Sequence, residues 1–467
     1  MADSKIIPLI DLLKLRPQMP GRVICLAHGC FDLLHYGHIE HLRQAKALGD
    51  YLVVTITADQ FVIKGPGRPA FTQEQRAAHL AALEMVDCVA VVDDPTALPA
   101  IEMLRPDIYC KGPDYEGRED GVFAQEKALV QSFGGRMVFT SGETSSSSAI
   151  LNGTGDHLRP EVAVFLAKVR ARYSADDVLG WLDKTTQLKV FVIGEPIRDE
   201  YVFVAPEGKS AKDSIICFRQ LWQEHWDGGV DVVGGHLRAL CERVHVSRCS
   251  PQPLIKRRYI LEPFVTKLFE TATFSQFVIN CQPHFGMLAE ADLVVAADFG
   301  LGLFPTAEET KAIVGGAKFL ALTVQSNSLN FGFNLLTKWP RADYVVVDED
   351  ELRLARCDKK GELVGLAQAE RERLGARHLT VTLGHRGCLI VDAEGFLEAP
   401  ALADRVLDRL GAGDAFLGVT APLACLGAPK EVLALVGSAA AALEVSQIGN
   451  IPTDRAALRK WLKGTLK

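Results

Sequence analysis

The chain has 467 residues, 48% hydrophobic and 23% charged, with 51 basic against 58 acidic side chains and a net charge of −7. This is the composition of an ordinary folded protein too long for one core, so two domains are expected, and the acidic balance disfavours nucleic acid or an anionic membrane surface as main partner. Eleven cysteines without a Cys-x-x-Cys pair argue against a zinc site or disulfide framework, no apolar run nears the ~20 residues that span a bilayer, and residues 1–5 lack a signal-peptide pattern, so a cytoplasmic location is expected.

A lead-in helix is predicted over residues 9–15, ending before Pro17 and Pro20. Residues 23–27 are an apolar run that reads as a buried parallel strand, and residues 39–50 carry apolar positions at helical spacing that stop at Gly49. Between them lies Gly29-Cys30-Phe31-Asp32-Leu33-Leu34-His35-Tyr36-Gly37-His38, a strand-to-helix turn with two histidines where the helix opens. Open N–H groups and the positive end of the helix dipole favour phosphate there, and Gly37 lets a ligand approach the backbone. Two imidazoles in that place can donate to a phosphate chain and to the charge that builds during phosphoryl or nucleotidyl transfer. His-x-x-His also admits a metal pair or two solvated surface histidines.

Strands follow at 51–57, 88–92, 107–110 and 137–140, with a helix at 73–85 and a loop at 64–69 that carries Lys64 and Arg68. Alternating strands and helices imply a parallel sheet with ligands at the carboxyl ends of its strands. The serine run from Ser145 to Ser148 reads either as a linker or as a helix start that holds a phosphate.

The string Gly-x-Phe-Asp-x-x-His-x-Gly-His resembles the signature of the nucleotidyltransferase superfamily that includes the cytidylyltransferases and phosphopantetheine adenylyltransferases. The resemblance implies that His35 and His38 contact a triphosphate and stabilise the transition state, with Gly29, Cys30, Phe31, Asp32 and Gly37 around the nucleotide. Arg68-Pro69, Glu74-Gln75-Arg76, Lys111-Gly112-Pro113-Asp114-Tyr115 and the serines occur in the order found in sugar-phosphate nucleotidyltransferases. They look most like the adenylyltransferase half of the bifunctional heptose kinase/adenylyltransferases of lipopolysaccharide precursor synthesis. That family has Lys-Gly-Gly-Asp-Tyr and Cys-Ser-Thr-Thr where this chain has Lys-Gly-Pro-Asp-Tyr and four serines. By this resemblance Lys46, Arg76, Lys111, Ser146, Ser147 and Ser148 are candidates for phosphate and nucleotide contacts, Lys46 among the catalytic set. Each is also readable as a solvated charge or a surface hydroxyl.

Residues 153–160 are loop-like, and helices at 161–173 and 175–184 bridge to a strand at 189–194. The expected organisation is a nucleotidyltransferase domain over 1–152, a helical linker over 153–186 and a second domain over 187–467. The informative stretch of the second domain is Asp408-Arg409-Leu410-Gly411-Ala412-Gly413-Asp414. Gly411, Ala412 and Gly413 give a tight turn whose N–H groups can point at one centre, an anion hole for a transferring phosphoryl group, and Asp414 can accept the proton of an attacking hydroxyl. Taken alone it is equally an ordinary loop–helix turn.

The block resembles the Asp-x-x-Gly-Ala-Gly-Asp signature of the PfkB/ribokinase family of carbohydrate kinases. Val381-Thr382-Leu383-Gly384-His385-Arg386-Gly387 resembles that family's nucleotide-site strand and turn, and Asp298-Phe299-Gly300-Leu301-Gly302 its Asp-Tyr-x-x-Gly block. The resemblance implies Asp414 as catalytic base, Thr382, Gly384 and Gly387 at the nucleotide, Gly228, Gly229 and Asp199 at the sugar, and Asp348 and Glu351 near the magnesium. Val232 and Asp348 each replace a usual asparagine, and Val324-Gln325-Ser326-Asn327-Ser328 stands where heptose kinases tend to have Asp-Pro-Lys, which leaves the sugar open. His236 and Lys256-Arg257-Arg258 are candidates for a sugar phosphate, with a solvated charge run as the simpler reading.

The fold class expected is α/β in two domains: a Rossmann-like parallel sheet and a ribokinase-like α/β sandwich. The resemblances imply a kinase that phosphorylates a sugar phosphate at the anomeric hydroxyl, and a nucleotidyltransferase that couples the product to a nucleoside triphosphate, in the reverse order to the heptose enzymes. ATP would serve the kinase, ATP or CTP the transferase, and Mg2+ both; a homodimer is expected by analogy. Two alternatives stay open: a CTP-dependent polyol- or glycerol-phosphate cytidylyltransferase fused to a kinase, and a nucleotidyltransferase with a non-catalytic, ligand-sensing kinase-like domain.

Overall fold

Five strands, β1 (Ile24–Gly29), β2 (Tyr51–Thr57), β3 (Cys88–Val92), β4 (Ile108–Lys111) and β5 (Arg136–Phe139), form an all-parallel sheet in the order β3-β2-β1-β4-β5. Their near-continuous runs of Val, Ile, Leu and Ala are what a sheet buried on both faces requires. Register pairs Ile24 with Tyr51 on one side and Ala27 with Cys110 on the other. One face is covered by α2 (Tyr36–Ala47) and α3 (Gln73–Ala81), which contribute Leu42, Ala45, Ala77 and Leu80 to the core. The other is covered by α1 (Leu12–Gln18), α4 (Leu98–Leu104) and α5 (Gly121–Ser132), which contribute Leu12, Ile101, Leu104 and Val130. The chain leaves β1 toward β2 and later returns to β4 on its other side. The crevice beyond the carboxyl ends of β1 and β4 is therefore the switch point where ligands bind in such sheets.

This computed structural model describes residues 5–115, 121–141, 158–210, 212–248, 250, 252–262, 266–273, 285–304, 307–330 and 332–466. Ser146, Ser147 and Ser148 lie outside the described residues. The chain divides into two compact units, residues 1–159 and 160–466. The helices α6 (Pro160–Arg170) and α7 (Ala175–Lys184) belong to the second. Arg170 donates to the Thr465 carbonyl at 2.6 Å and Arg455 to the Leu182 carbonyl at 3.3 Å, which ties both helices to the C-terminal segment.

The second unit is built on β6 (Lys189–Gly194), β9 (Arg243–Arg248), β12 (Leu293–Asp298), β13 (Leu320–Val324), β14 (Tyr344–Asp348), β15 (His378–Thr382), β16 (Cys388–Asp392) and β17 (Gly395–Ala399). They lie in the order β17-β16-β15-β14-β13-β12-β6-β9, parallel except at the β15-β16-β17 edge. A core around Phe191, Trp339 and Leu352 fills one face, and α13 (Ala412–Cys425) and α14 (Lys430–Val445) bury most of their length in the unit. A separate four-stranded sheet orders β11 (Thr266–Thr273), β10 (Leu254–Leu261), β7 (Pro196–Lys209) and β8 (Ile216–Gly229) side by side. Among the described residues no helix is long and apolar enough to cross a membrane.

Candidate active sites

In the first unit, β1 ends in a turn that Phe31 takes with φ 47°, a left-handed conformation uncommon for a large side chain. Arg76 holds this turn from α3. Its guanidinium is fully buried and donates to the carbonyls of Cys30, Thr57 and Phe71 and to the carboxylate of Asp59. Phe31 packs edge-on against His38 with ring centroids 5.2 Å apart. His35 is the N-cap of α2 and His38 sits in its first turn, their rings stacked at 3.9 Å. Neither nitrogen of His35 nor Nδ1 of His38 has a hydrogen-bond partner. Burial, reinforced by His35, Lys64 and His41, pushes His38 down to about 3, so its ring is neutral at physiological pH. Burial also lowers His35.

At the end of β4, Lys111 pairs with Glu126 at 3.1 Å, with its ammonium 4.9 Å from the Tyr109 ring and 4.8 Å from the Tyr115 ring. Burial lowers its affinity for the proton. Its charge, after burial, helps hold His28 at about 3 and His41 at about 4. The arrangement is one of neutral imidazoles and cations around a helix N-terminus, which suits a chain of phosphates.

In the second unit, Gly411 is the N-cap of α13 with φ 82°, and a β-carbon there would collide with the side-chain oxygen of Asn450. Asp414 follows in the first turn. Burial, with Asp199 adding to it and Lys256 opposing, pushes its carboxyl up to about 7. That value suits a general base working near neutrality. Asp199 is buried, pairs with Arg258 and accepts from the Asn450 amide at 2.9 Å. Gly228 passes so close that a β-carbon would lie 2.5 Å from Asp199 Oδ2. At the far end of the sheet, the β15–β16 turn takes Gly384 to φ 58° and Gly387 to φ 100°, and the Thr382 hydroxyl donates to the Val347 carbonyl at 3.4 Å. Asp348 and Glu351 form a reciprocal capping box at the start of α11 (Glu349–Arg356), which follows α8 (Val230–Leu240), α9 (Phe285–Leu288) and α10 (Ala307–Gly316) in the chain and precedes α12 (Leu363–Leu374). Burial and Asp348 push Glu351 up to about 8.

The sequence profile described as Cytidylyltransferase-like matches residues 26–151, and that of the pfkB family of carbohydrate kinases matches residues 267–456. The chain carries a cytidylyltransferase-like domain followed by a PfkB domain. Over its N-terminal part it is 43% identical across 138 residues to "Bifunctional protein HldE" of Campylobacter fetus, a match covering 29% of this chain and 30% of that protein. It is 42% identical across 140 residues to the protein of the same name from Syntrophotalea carbinolica, covering 29% and 28%. These matches span less than a third of the curated relatives' length. Among solved structures, Escherichia coli phosphofructokinase-2 with potassium is similar at TM-score 0.48 and 14% identity, covering 59% of this chain and 98% of that one. Ribokinase of Thermotoga maritima is similar at 0.43 and 18%, covering 59% and 99%.

Several residues expected to contact ligand in the cytidylyltransferase-like domain make hydrogen bonds within the protein, Lys46 among them. Lys46 lies in the last turn of α2 and donates to the Asp50 carbonyl at 2.7 Å and to Asp87 at 2.6 Å. Eight residues at 1.5 Å each put it ~12 Å along the axis from His38, at the wrong end of the helix. Phe31 and Asp32 are buried, and every donor of Arg76 is spent on the protein. Cys30 offers its carbonyl to Arg76, and Gly29 lies under the Phe31 ring. His28 and His41 were not singled out by sequence; nothing local marks them, because the pairing of β1 with β4 brings His28 to Lys111 and the packing of α2 on the sheet brings His41 there, its ring 2.8 Å from the Thr140 hydroxyl.

In the PfkB domain the basic run of β10 is solvated only in part: the Arg257 side chain is 41% exposed and pairs with Glu200. Arg258 is buried between Asp199 and Glu270, and Lys256 lies beside Asp199 in the β7–β10 register. His236 is a core residue whose ring meets Thr453 at 2.9 Å. Sequence reasoning also missed Glu195. It accepts the amides of Phe299, Leu301 and Leu303 at 3.0 to 3.2 Å and so shapes the Asp298–Gly302 block from beneath.

Proposed function

We propose that the chain is a bifunctional cytoplasmic enzyme: the PfkB domain phosphorylates a sugar phosphate at its anomeric hydroxyl, and the cytidylyltransferase-like domain couples the product to a nucleoside triphosphate. An ADP- or CDP-activated sugar results, ADP-heptose being the first candidate. The observation that carries this reading is shared by both units. Each sets its reactive side chains in the first turn of a helix beside open backbone N–H groups, His35 and His38 at α2 and Asp414 at α13. The 42–43% identity to proteins named HldE supports the heptose assignment for the first domain.

In the kinase step Asp414 takes the proton of the sugar hydroxyl as its oxygen attacks the γ-phosphorus of ATP, and ADP leaves. The N–H groups of Gly411, Ala412 and Gly413 receive the charge on the transferring group. Gly228 and Gly229 leave room for the sugar above Asp199, while Thr382, Gly384 and Gly387 shape the nucleotide turn. In the second step an oxygen of the sugar 1-phosphate attacks the α-phosphorus of the triphosphate. The α–β anhydride bond breaks and pyrophosphate departs, its charge met by His35, His38, Gly37 and the start of α2, with Lys111 close by. Ser146, Ser147 and Ser148 are further candidates for phosphate contact.

Mg2+, when bound, neutralises the triphosphate oxygens. The donor set fits an ion carried chiefly by the nucleotide. No group of three or more His, Cys, Asp or Glu that could hold a metal occurs among the described residues, and Glu351 holds its proton to about pH 8. Asp348 would hold the ion through water, with Glu351 fixing Asp348. A homodimer fits the same reading, because Ile216, Trp222 and Phe269 leave apolar surface exposed on the four-stranded sheet; sedimentation of the purified chain tests it.

The reading is tested by pyrophosphate release with ATP and with CTP against a panel of sugar 1-phosphates, alongside ADP formation from the corresponding sugar phosphates. Turnover of one sugar by both halves in sequence is expected. Pyrophosphate release with glycerol or polyol phosphates and CTP alone would favour the cytidylyltransferase alternative. A kinase half that binds sugar phosphate without forming ADP would make it a sensor.

A further inference from the structure

Resting on the nucleotidyl-transfer reading of the first domain, we propose that Arg68 is a phosphoryl-binding residue of that site, set in place by Asp32. Arg68 lies in the loop between β2 and α3, and its side chain is 1% exposed against 0% for Asp32. Its Nε donates to Asp32 Oδ2 at 2.5 Å. The other oxygen of Asp32 accepts the amides of Ala70 and Phe71 at 2.8 and 3.2 Å, so the carboxylate fixes both the guanidinium and the loop that carries it.

Both terminal nitrogens of Arg68 have no hydrogen-bond partner. Among the described residues of the first unit, buried side-chain nitrogens or oxygens without a partner occur on three residues only: Arg68, His35 and His38. Buried guanidinium N–H groups are almost always satisfied, so a fork left bare is waiting for an acceptor. All three residues belong to one locale. Asp32 is three positions before His35 in the same turn, and the loop that carries Arg68 also brings Lys64 close enough to act on His38. The group that would satisfy a planar two-nitrogen fork, imidazole N–H groups and a helix N-terminus together is a tetrahedral oxyanion, that is, a phosphoryl group. It can come from the triphosphate or from the sugar phosphate. Asp32 acts as a positioning residue, since its oxygens are spent on the protein.

The test uses the full chain and the variants Arg68→Lys and Asp32→Asn. Inorganic pyrophosphate is the binding probe in calorimetry, and steady-state pyrophosphate release is read against each substrate. Arg68→Lys keeps the charge but loses the fork. It is expected to weaken pyrophosphate binding at least tenfold, or to raise KM for the sugar 1-phosphate by as much, while ADP formation by the PfkB domain is unchanged. The first pattern assigns the fork to the triphosphate and the second to the sugar phosphate. Asp32→Asn is expected to reproduce whichever of the two patterns Arg68→Lys shows and not the other. If both variants lower the unfolding temperature but leave pyrophosphate binding and both KM values as in the parent, Arg68 is a structural residue and the proposal is overturned, while the nucleotidyl-transfer reading stands. If the parent chain neither binds pyrophosphate nor releases it from any triphosphate, reading and proposal fall together. Should Arg68→Lys not fold, Asp32→Asn alone decides by the same readouts.

Discussion

The rings of His35 and His38 stack with centroids 3.9 Å apart and planes 25° from parallel. Two protonated imidazoles would repel at that distance, and burial lowers the proton affinity of both rings, so the pair does not carry two charges and acts through its dipoles. Dipoles aimed at departing pyrophosphate stabilise the transition state more than the ground state. His38→Ala is therefore expected to lower kcat for pyrophosphate release by about 10²-fold or more. Phosphorylation by the PfkB domain should be untouched. Loss of both activities in a folded variant would contradict two separate sites.

The mirror prediction concerns Asp414. Asp414→Asn removes the proton acceptor and should cut ADP formation by roughly 10²- to 10⁴-fold, leaving pyrophosphate release from a supplied sugar 1-phosphate intact. Its raised pKa, about 7, adds a signature. The base works only when ionised, so kcat/KM for the kinase should rise with pH up to about 7 and level off above it. A profile flat from pH 5 to 8 would sink the assignment.

Gly228 tests the proposed sugar contact at Asp199. A β-carbon there would lie 2.5 Å from Asp199 Oδ2 and 3.4 Å from Ile197 Cβ. Asp199 has no freedom to yield, because Arg258 and Asn450 grip its two oxygens. Gly228→Ala should raise KM for the sugar phosphate at least tenfold, with pyrophosphate release unaltered. An unchanged KM would remove Gly228 and Asp199 from the sugar site.

Lys46 separates motif from geometry. Its pairing with Asp87 involves side chains 31% and 27% exposed, a setting in which such pairs contribute ~1 kcal/mol or less. Lys46→Ala should leave kcat for pyrophosphate release within about twofold and lower the unfolding temperature of the first domain slightly. A hundredfold fall in kcat would return Lys46 to the catalytic set.

That contrast marks how much was legible beforehand. The parallel sheet of the first domain and the turn bearing His35 and His38 were readable, because buried parallel strands and helix starts are written in contiguous residues. The Gly411–Asp414 turn was readable for the same reason. What stayed hidden depends on partners far apart in sequence. Arg68 and Asp32 are 36 positions apart, and Asn450 reaches Asp199 across 251. Lys46 and Arg76 looked like ligand contacts because a basic residue near a motif reads the same whether it faces a phosphate or a carbonyl. The hairpin of β7 and β8 was unforeseen: most of β8 is exposed on a sheet of its own, so its residues carry little of the apolar alternation that marks a strand against a core.

The buried ionisable groups of the two units pull stability in opposite directions with pH. In the first, His28 and His38 are held at about 3 and His41 at about 4, below the ordinary histidine value of 6.5. The unfolded chain binds protons there that the folded unit refuses, so this unit is fully stable above pH 6.5 and weakens as pH falls. In the second, burial first of all raises Asp414 and Glu195 to about 7 and Glu351 and Glu444 to about 8, above ordinary values of 3.8 and 4.5. The folded unit keeps protons that the unfolded chain releases, so the stability these groups contribute is present near pH 4 and lost as pH rises through 7 and 8. His236, at about 4, and His378, lowered by burial, oppose this only below 6.5, while burial also raises Asp231 and Asp348 and so adds to it. Scanning calorimetry from pH 5 to 8 should resolve two transitions, the first unit's moving up with pH and the second's moving down, with Lys46→Ala identifying the first by its shift. Two transitions that climb together over that range would mean that the four carboxyls do not stay protonated in the folded protein, and Asp414 would then lose its place as a base tuned to neutrality.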